Sequence, residues 1–263
     1  MTAAAQALSF AVGPVAVELE LDEALFAAAP SGWRAANRSE SSRARARVRL
    51  VAMEAAPRLS DAHGFRDSRF CGGGCRLVRT RLGPDEERID GESVADPLAL
   101  ARAVRFATQP LLASQGWLLL HAASVVIRER AELFVAASGT GKSTLARALS
   151  RAGAQLLGDE VAAVGPEGVA VHPGQSPHGA LGQVVPLGTV HLLARGEPGS
   201  APVGGAEATA ELLSQAMVYE DGRAAIERAL ALVSRLVARA TIVRTRVPLG
   251  DRALLPFGFG AGQ

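Results

Sequence analysis

The amino-terminal part of the chain contains short runs in which apolar and polar residues alternate. Residues 15–21 read VAVELEL and residues 43–50 read RARARVRL, so that arginines occupy one face of the second run and Ala, Val and Leu the other. Strict alternation of this kind predicts half-buried β-strands. Residues 69–80 contain a Gly-Gly-Gly turn between two further runs and predict a hairpin. We therefore expect residues 1–112 to form a mainly β unit, with a helix over 96–112 that leads into the second unit.

The rest of the chain mixes apolar strands with helical patterns. An apolar stretch at 117–128, a turn at 129–132 and a strand at 133–136 precede a helix from 142 to about 152, which Gly153 is suited to end. The spacing of leucines and alanines predicts two helices, over 206–219 and 223–239. Short apolar runs predict strands over 154–157, 161–164, 189–194 and 241–247, and residues 165–186 are rich in turn-forming residues. Residues 113–263 are thus expected to form an α/β unit.

Composition and charge argue against several classes of function. The net charge of +2 lacks the strong basic excess of a general nucleic-acid or membrane-surface binder. No run approaches the ~18 consecutive apolar residues of a membrane-spanning helix, and the amino-terminal residues lack the positive start of a signal peptide. We therefore expect a cytoplasmic protein that binds neither nucleic acid nor membrane, with Cys71 and Cys75 reduced. The sequence leaves open whether the chain forms a homo-oligomer.

Residues 136–144, AASGTGKST, follow a predicted strand and begin a predicted helix. They match the phosphate-binding (Walker A) loop G-x-x-x-x-G-K-[ST], except that Ala136 stands at the first glycine. This position ends the strand, where alanine is tolerated if its backbone angles are ordinary. Lys142 is the only lysine in a chain with 28 basic residues, and the others are all arginine. A slim ammonium reaches between phosphates where a planar guanidinium does not fit, so the choice of lysine here favours a working loop.

Such a loop binds phosphates with its backbone N–H groups and with the positive N-terminal end of its helix. The lysine reaches the β- and γ-phosphates, and the hydroxyl of Ser143 is placed to hold Mg²⁺. We predict a nucleotide site, with ATP as the expected nucleotide, formed by Ser138, Gly139, Thr140, Gly141, Lys142, Ser143 and Thr144. The competing interpretation is a plain glycine-rich turn between a strand and a helix.

Asp159 and Glu160 follow the next predicted strand, at a position where ligands collect in open α/β sheets. Carboxylates there hold Mg²⁺ or accept the proton of an attacking hydroxyl. We predict a magnesium site formed by Ser143, Asp159 and Glu160. The alternative is a solvated turn, which would be the better interpretation of an acidic pair without a phosphate-binding loop nearby.

Residues 118–164 resemble the HPr kinase/phosphorylase family, especially its shorter HPr-kinase-like relatives. The resemblance rests on a strand with a histidine, His121, then the loop and its helix, then a strand that ends in two acidic residues, in the family's order and approximate spacing. Residues 186–251 look like the tail of the short relatives, and residues 1–110 show no shared motif. The family's later motif E-x-R-G-x-G and its long C-terminal helix are not found, which argues against phosphorylase activity and against HPr as the substrate.

The resemblance implies a P-loop fold of the HPr kinase/phosphoenolpyruvate carboxykinase type and transfer of the γ-phosphate to a serine hydroxyl. It implies that Asp159 accepts the serine proton, that Glu160 assists with metal or charge, and that His121 lies near the phosphates or the acidic pair. With Lys142, these are the predicted catalytic residues. The expected acceptor is a peptide or small protein, such as the natural-product precursor peptides that some short relatives phosphorylate, and we expect the N-terminal unit to recognise it.

Two other functions fit the same residues: a nucleotide-binding regulator or scaffold with little or no kinase activity, and a kinase for a small metabolite such as free serine. Some further side chains have two interpretations. The arginines of 43–50 either dock an acidic peptide or form the solvated face of a strand. His172 and His178 either line the substrate entrance or are ordinary loop histidines, and Arg244 and Arg246 either reach phosphate or lie outside the site.

Overall fold

The computed structural model of the chain describes residues 5–34, 42–56, 64–66, 68–172 and 181–248. Within these ranges the structure is mixed α/β, with three β-sheets and six helices. The mixed α/β class expected from the sequence pattern is therefore confirmed. None of the described helices is long and apolar enough to cross a membrane.

The amino-terminal strands form one seven-stranded sheet. They are β1 (Gln6–Val12), β2 (Val15–Leu21), β3 (Ala44–Ala52), β4 (Gly64–Arg66), β5 (Arg69–Gly72), β6 (Cys75–Gly83) and β7 (Glu86–Ser93), and helices α1 (Glu23–Ala28) and α2 (Ser31–Arg34) follow β2. The strand order is β1-β2-β3-β7-β6-β5-β4, with β3 parallel to β2 and β7 and the other neighbours antiparallel. The strands predicted at 15–21 and 43–50 and the hairpin predicted at 69–80 are confirmed.

The arginine face of β3 is the solvated face of this sheet. Alternate residues of β3 are buried, while Arg45, Arg47 and Arg49 face water. Arg45 and Arg47 lie 3.7 and 3.6 Å from the carboxylate of Glu18 on β2, and Arg47 lies 3.0 Å from that of Glu86. Because these charges are paired across neighbouring strands, the arginines are better interpreted as the solvated face of a strand than as a surface that docks an acidic peptide.

Helix α3 (Pro97–Ser114) packs on the inner face of the first sheet. Asp96 caps it by accepting a hydrogen bond from the Leu98 N–H, and a proline occupies the first turn, where its missing N–H costs nothing. The core around α3 also contains Trp117 and Val161, which come after residue 112 in the chain. The core is thus continuous across the predicted boundary, and the division into 1–112 and 113–263 stays a prediction.

In the carboxyl-terminal part, the described residues form two further sheets and three helices. The elements are β8 (Leu118–Leu120), β9 (Ala122–Ile127), β10 (Arg130–Val135), α4 (Lys142–Arg151), β11 (Gln155–Gly158), β12 (Ala162–Gly165), β13 (Gly168–Val171), β14 (Val184–Val185), β15 (Leu187–Arg195), β16 (Gly199–Pro202), α5 (Gly205–Ser214), α6 (Arg223–Arg239) and β17 (Thr241–Val247). The second sheet has the order β11-β9-β10-β15-β17-β16, and the third has the order β14-β13-β12-β8. Helix α4 shares a core with one face of the second sheet, and α5 and α6 share a core with the other.

The hairpin before the loop is tighter than the sequence suggested. The turn contains only Arg128 and Glu129, with φ values of 50° and 63°, and Arg130 already pairs with Ile127. Positive φ at both central residues is the geometry of a two-residue hairpin turn. The prediction of a turn over 129–132 was therefore wrong, and β10 is longer than expected.

The helix predicted over 206–219 is shorter in the structure than the sequence pattern suggested. Helix α5 ends at Ser214, and the chain after it runs beside β8. Ala216 forms a β-bridge with Leu120, and the Met217 N–H donates to the Leu119 carbonyl at 2.8 Å. These residues satisfy their backbone groups against a strand, which is why the helix stops although the side-chain spacing continues.

Candidate functional site

The loop between β10 and α4 has the geometry of an anion-binding turn. Gly139 and Gly141 have φ values of 80° and 106°, in the left-handed region that residues with a Cβ atom avoid. Gly141 is the N-cap residue of α4, so no side chain accepts from the first N–H groups of the helix. Ala136 has no positive φ, which meets the condition under which alanine replaces the first glycine of the motif.

The side chain of Lys142 lies against the loop that precedes it. It is 5% exposed, and its Nζ donates to the carbonyls of Ala136 at 2.7 Å and Ala137 at 3.3 Å. In the described part of the chain it has no carboxylate partner. Burial lowers the pKa of the Lys142 ammonium. Within the described ranges the lysine is thus a buried cation that has carbonyl oxygens as its acceptors and no carboxylate beside it.

Helix α4 holds Asp159 through two residues one turn apart. The Ser143 hydroxyl donates to the backbone carbonyl of Asp159 at 3.0 Å. Arg147 donates to the carboxylate oxygen Oδ2 from Nη2 at 2.6 Å and from Nε at 3.2 Å, and the other oxygen, Oδ1, accepts no hydrogen bond from the described residues. The Asp159 side chain is 9% exposed and that of Arg147 is 59% exposed. The arginine therefore fixes the carboxylate from the solvent side and leaves one oxygen uncommitted.

Sheet topology explains why the loop and the acidic pair meet. Strand β9 is antiparallel to both β10 and β11, so β10 and β11 run in the same direction. The loop follows the last residue of β10, and Asp159 follows the last residue of β11. Both segments therefore emerge at the same edge of the second sheet, where ligands bind in α/β proteins.

Glu160 and His121 lie on the side of the site that faces α3. The Glu160 carboxylate pairs with Arg105 of α3, with Oε1 3.4 Å from Nη1. His121 stands where the chain passes from the third sheet to the second. Burial lowers the pKa of His121, the charge of Lys142 lowers it further, and Glu160 opposes both. His121 is thus a neutral imidazole near pH 7, within electrostatic reach of the loop lysine and of Glu160.

The remaining predicted loop residues border the same edge of the sheet. Ser138, Gly139 and Thr144 are exposed, and Thr140 is half-buried. The structure therefore brings the predicted nucleotide-binding loop and the predicted acidic pair together, with His121 beside them.

Three arginines near the site were not anticipated from the sequence: Arg105, Arg147 and Arg195. Arg195 ends β15, the parallel neighbour of β10. Its Nη2 lies 2.9 Å from the position that a Cβ atom on Gly141 would occupy. The flexible guanidinium could shift away from such an atom, so the backbone angle is what requires glycine there. Only the pairing of β10 with β15 places Arg195 at the loop, and no local pattern in the sequence indicates it.

Other candidate residues have different surroundings. Arg244 is paired with two glutamates of α5, and Arg246 packs beside Gly196. His172 is buried, with its Nε2 3.2 Å from the hydroxyl of a threonine on α3. His178 lies outside the described residues. Arg244 is therefore better interpreted as a residue that joins β17 to α5 than as a phosphate ligand. His172 is better interpreted as a buried residue that packs against α3 than as part of the substrate entrance.

Comparison of the chain with family models finds no matching family, and comparison with curated proteins finds no match either. The functional interpretation therefore rests on the residues of the site. Among the described residues, no group of three or more His, Cys, Asp or Glu side chains could hold a metal ion. A metal at this site would need ligands from a bound phosphate in addition to the protein.

Proposed function

We propose that the chain is an ATP- and Mg²⁺-dependent kinase, built on a P-loop domain of the HPr kinase type, that transfers the γ-phosphate to a serine hydroxyl of a peptide or small protein. The contact between the loop helix and Asp159 carries the proposal: the Ser143 hydroxyl lies 3.0 Å from the Asp159 carbonyl, and Arg147 holds the carboxylate. A phosphate loop alone binds a nucleotide. A carboxylate fixed beside it adds the group that orients or deprotonates an attacking hydroxyl. We place the reaction in the cytoplasm.

The loop and Lys142 form the donor half of the proposed site. The loop backbone and the N-terminus of α4 offer N–H groups to the phosphates. Lys142 exchanges its two carbonyl acceptors for phosphate oxygens, and Arg195 provides a second cation beside Gly141. Because the transferring group is negatively charged in the transition state, cations that engage the phosphates when the nucleotide binds stabilise it during transfer.

The residues fit Mg²⁺ bound together with phosphates. A serine hydroxyl has one hydrogen to donate and two lone pairs, so Ser143 bonds to the Asp159 carbonyl and still presents lone pairs to a cation. Mg²⁺ is usually held by one or two carboxylates, with phosphate oxygens and water completing its shell, and Asp159 has an uncommitted oxygen. Glu160 is engaged with Arg105, so Ser143 and Asp159 are the more direct ligands. The bound ion would neutralise charge that develops on the phosphates.

Asp159 is the proposed acceptor of the serine proton. The serine oxygen forms a bond to the γ-phosphorus, the bond from that phosphorus to the β,γ-bridging oxygen breaks, and ADP leaves with the electron pair. The hydroxyl proton passes to the carboxylate. Arg147 occupies Oδ2, and Oδ1 has two lone pairs, so one of them would face Mg²⁺ while the other accepts this proton.

The test is transfer of label from γ-labelled ATP, with Mg²⁺, to peptides and small proteins encoded beside the gene and to free serine. We expect wild type to label a serine and Lys142→Ala and Asp159→Asn to label none, while Asp159→Asn still binds ATP. Arg151→Ala is the control, because Arg151 is exposed in the last turn of α4, and it should keep full activity.

Two results would replace the proposal. Tight ATP binding without label on any acceptor favours the nucleotide-binding regulator. Label on free serine alone favours a small-metabolite kinase.

A further inference from the structure

Arg105 is a buried arginine with an incomplete set of hydrogen bonds. It lies in the middle of α3 and is 3% exposed. Its Nε donates to the Ala101 carbonyl of the same helix at 3.4 Å, and its Nη1 lies 3.4 Å from Oε1 of Glu160. Among the residues that the structure describes, its Nη2 is buried and has no hydrogen-bond partner. A buried donor without an acceptor destabilises a fold, so its presence beside a candidate active site needs a physical reason.

Glu160 is a loose partner for this guanidinium. Charge-assisted N–H···O bonds are typically about 2.7–2.9 Å long, whereas the contact to Glu160 is 3.4 Å. The Glu160 side chain is 32% exposed and that of Arg105 is 4% exposed, so Glu160 is the solvent-facing member of the pair. A carboxylate that arrives from solvent would reach Arg105 by lying beside Glu160 or by displacing it.

The surroundings of Arg105 connect it with the proposed transfer site. The charges of Arg105 and Glu160 both act on His121 and Tyr219, whose side chains are half-buried. His121 is also within the field of Lys142, and Glu160 directly follows the proposed base in the chain. These four residues, the acceptor cluster (Arg105, Glu160, His121 and Tyr219), therefore share one electrostatic environment, which adjoins the proposed base through Glu160 and the loop lysine through His121.

We propose that Arg105 binds a carboxylate of the acceptor, so that the enzyme selects serine hydroxyls with a carboxylate close by. The inference rests on the proposed kinase function and names its substrate class. A guanidinium presents parallel N–H groups that match the two oxygens of a carboxylate, and Nη2 is free to take one of them. The carboxylate has two sources: an acidic side chain beside the serine of a peptide, or the α-carboxylate of free serine.

The first test measures binding to the wild-type protein without turnover. Calorimetric titrations compare the blocked peptides Gly-Glu-Ser-Glu-Gly and Gly-Gln-Ser-Gln-Gly, and compare L-serine with L-serinamide. We expect the carboxylate form to bind at least about tenfold more tightly in one pair, as one charge-assisted hydrogen bond provides. The pair that discriminates identifies the source of the carboxylate. Equal affinities within both pairs, or no binding at all, overturn the inference.

Variants then test whether Arg105 is the residue that causes the preference for the carboxylate form. Arg105→Lys and Arg105→Gln should bring the two affinities to within about twofold, because neither side chain offers the guanidinium fork, and the affinity for Mg-ATP should not change. Arg102→Gln is the matched control, since Arg102 lies one turn earlier on α3 and donates to the Gly73 carbonyl at 2.8 Å. A preference that survives in both Arg105 variants overturns the assignment.

Glu160→Gln provides a test that does not depend on how well the Arg105 variants fold. Removing the competing carboxylate should tighten binding of the acidic probe, and weaker or unchanged binding contradicts the inference. The kinase proposal and the proposed carboxylate site can be refuted independently of each other. Equal labelling of the acidic and amide peptides keeps the kinase and removes the carboxylate site, whereas carboxylate-dependent binding without any label keeps the site and removes the kinase.

Discussion

Replacing Lys142 with methionine separates phosphate binding from a role in the fold. The ammonium is 5% exposed and has two carbonyl acceptors, at 2.7 and 3.3 Å. Hydrogen bonds from a charged group contribute about 1.5–3 kcal/mol each, and taking the charge out of water costs several kcal/mol. Because these effects oppose one another, Lys142→Met should change the free energy of unfolding without ligand by less than about 1 kcal/mol.

The stabilisation by bound nucleotide should differ much more strongly between wild type and Lys142→Met. A ligand at 100 times its Kd stabilises the native state by about 2.7 kcal/mol, which raises the Tm of a domain of this size by roughly 5–10 °C. We expect this rise for wild type with Mg-ATP and little or none for Lys142→Met. Thermal unfolding with and without Mg-ATP measures both quantities. Arg151→Met, on the exposed side of the same helix, should keep the wild-type shift.

The pH dependence provides an independent check on the buried ammonium. Because burial lowers the pKa of Lys142 below its ordinary value of 10.5, the native chain releases this proton before the unfolded chain does. The free energy of unfolding of wild type should therefore rise relative to Lys142→Met as the pH increases from the lowered pKa toward 10.5.

Two outcomes would refute this reasoning about Lys142. A loss of more than about 3 kcal/mol in Lys142→Met without nucleotide would make the lysine a structural anchor of the loop. An equal rise in Tm with Mg-ATP in both proteins would exclude its contact with phosphate.

Three further predictions concern the core. In Gly165→Ala the new Cβ would lie 2.0 Å from the buried indole of Trp117, so urea denaturation should show a loss of about 3 kcal/mol. Arg79→Met leaves the buried Glu87 without the guanidinium Nε that lies 3.0 Å away, which should cost about 3–5 kcal/mol at pH 8. The cost should be smaller at pH 5, because burial raises the pKa of Glu87 and its protonated form needs no cation. Burial raises the pKa of the Cys75 thiol to about 11, so a thiol reagent at pH 8 should modify it only as the protein unfolds.

Each of these predictions has a contradicting result. Gly199→Ala is the control for Gly165→Ala, because no atom lies within 4 Å of its Cβ position, and equal stability of the two variants would mean that the indole moves at little cost. A pH-independent loss in Arg79→Met would contradict the burial of an ionised glutamate. Rapid modification of Cys75 under native conditions would contradict its burial.

The local pattern of apolar and polar residues correctly predicted elements that bury only one of their faces. Strand β2, helix α6 and strand β17 begin and end where alternation and helical spacing placed them. One-sided burial leaves a period of two or 3.6 residues in the sequence itself, so these elements are visible without a partner. The helix that begins at Lys142 was predictable for the same reason, and the loop before it was recognised from its motif.

Elements that depend on a neighbour left no such signal. Strand β7 reads EERIDGES and strand β16 reads GSAP, and neither was predicted. Their conformation comes from backbone pairing, β7 between β3 and β6 and β16 along β17. Pairing of N–H and C=O groups makes little demand on side-chain type, so strands of this kind are recognised only when the sheet is assembled.

The sequence by itself determined the chemistry available at the site: the loop with its single lysine, the serine after it and the acidic pair. It did not distinguish Arg105, Arg147 and Arg195 in a chain where every basic residue except one lysine is an arginine. Only the tertiary structure decided which guanidinium meets Asp159, which meets Glu160 and which lies over Gly141. The reason is that these contacts depend on strand order and direction, which arise from hydrogen bonds between segments far apart in the chain.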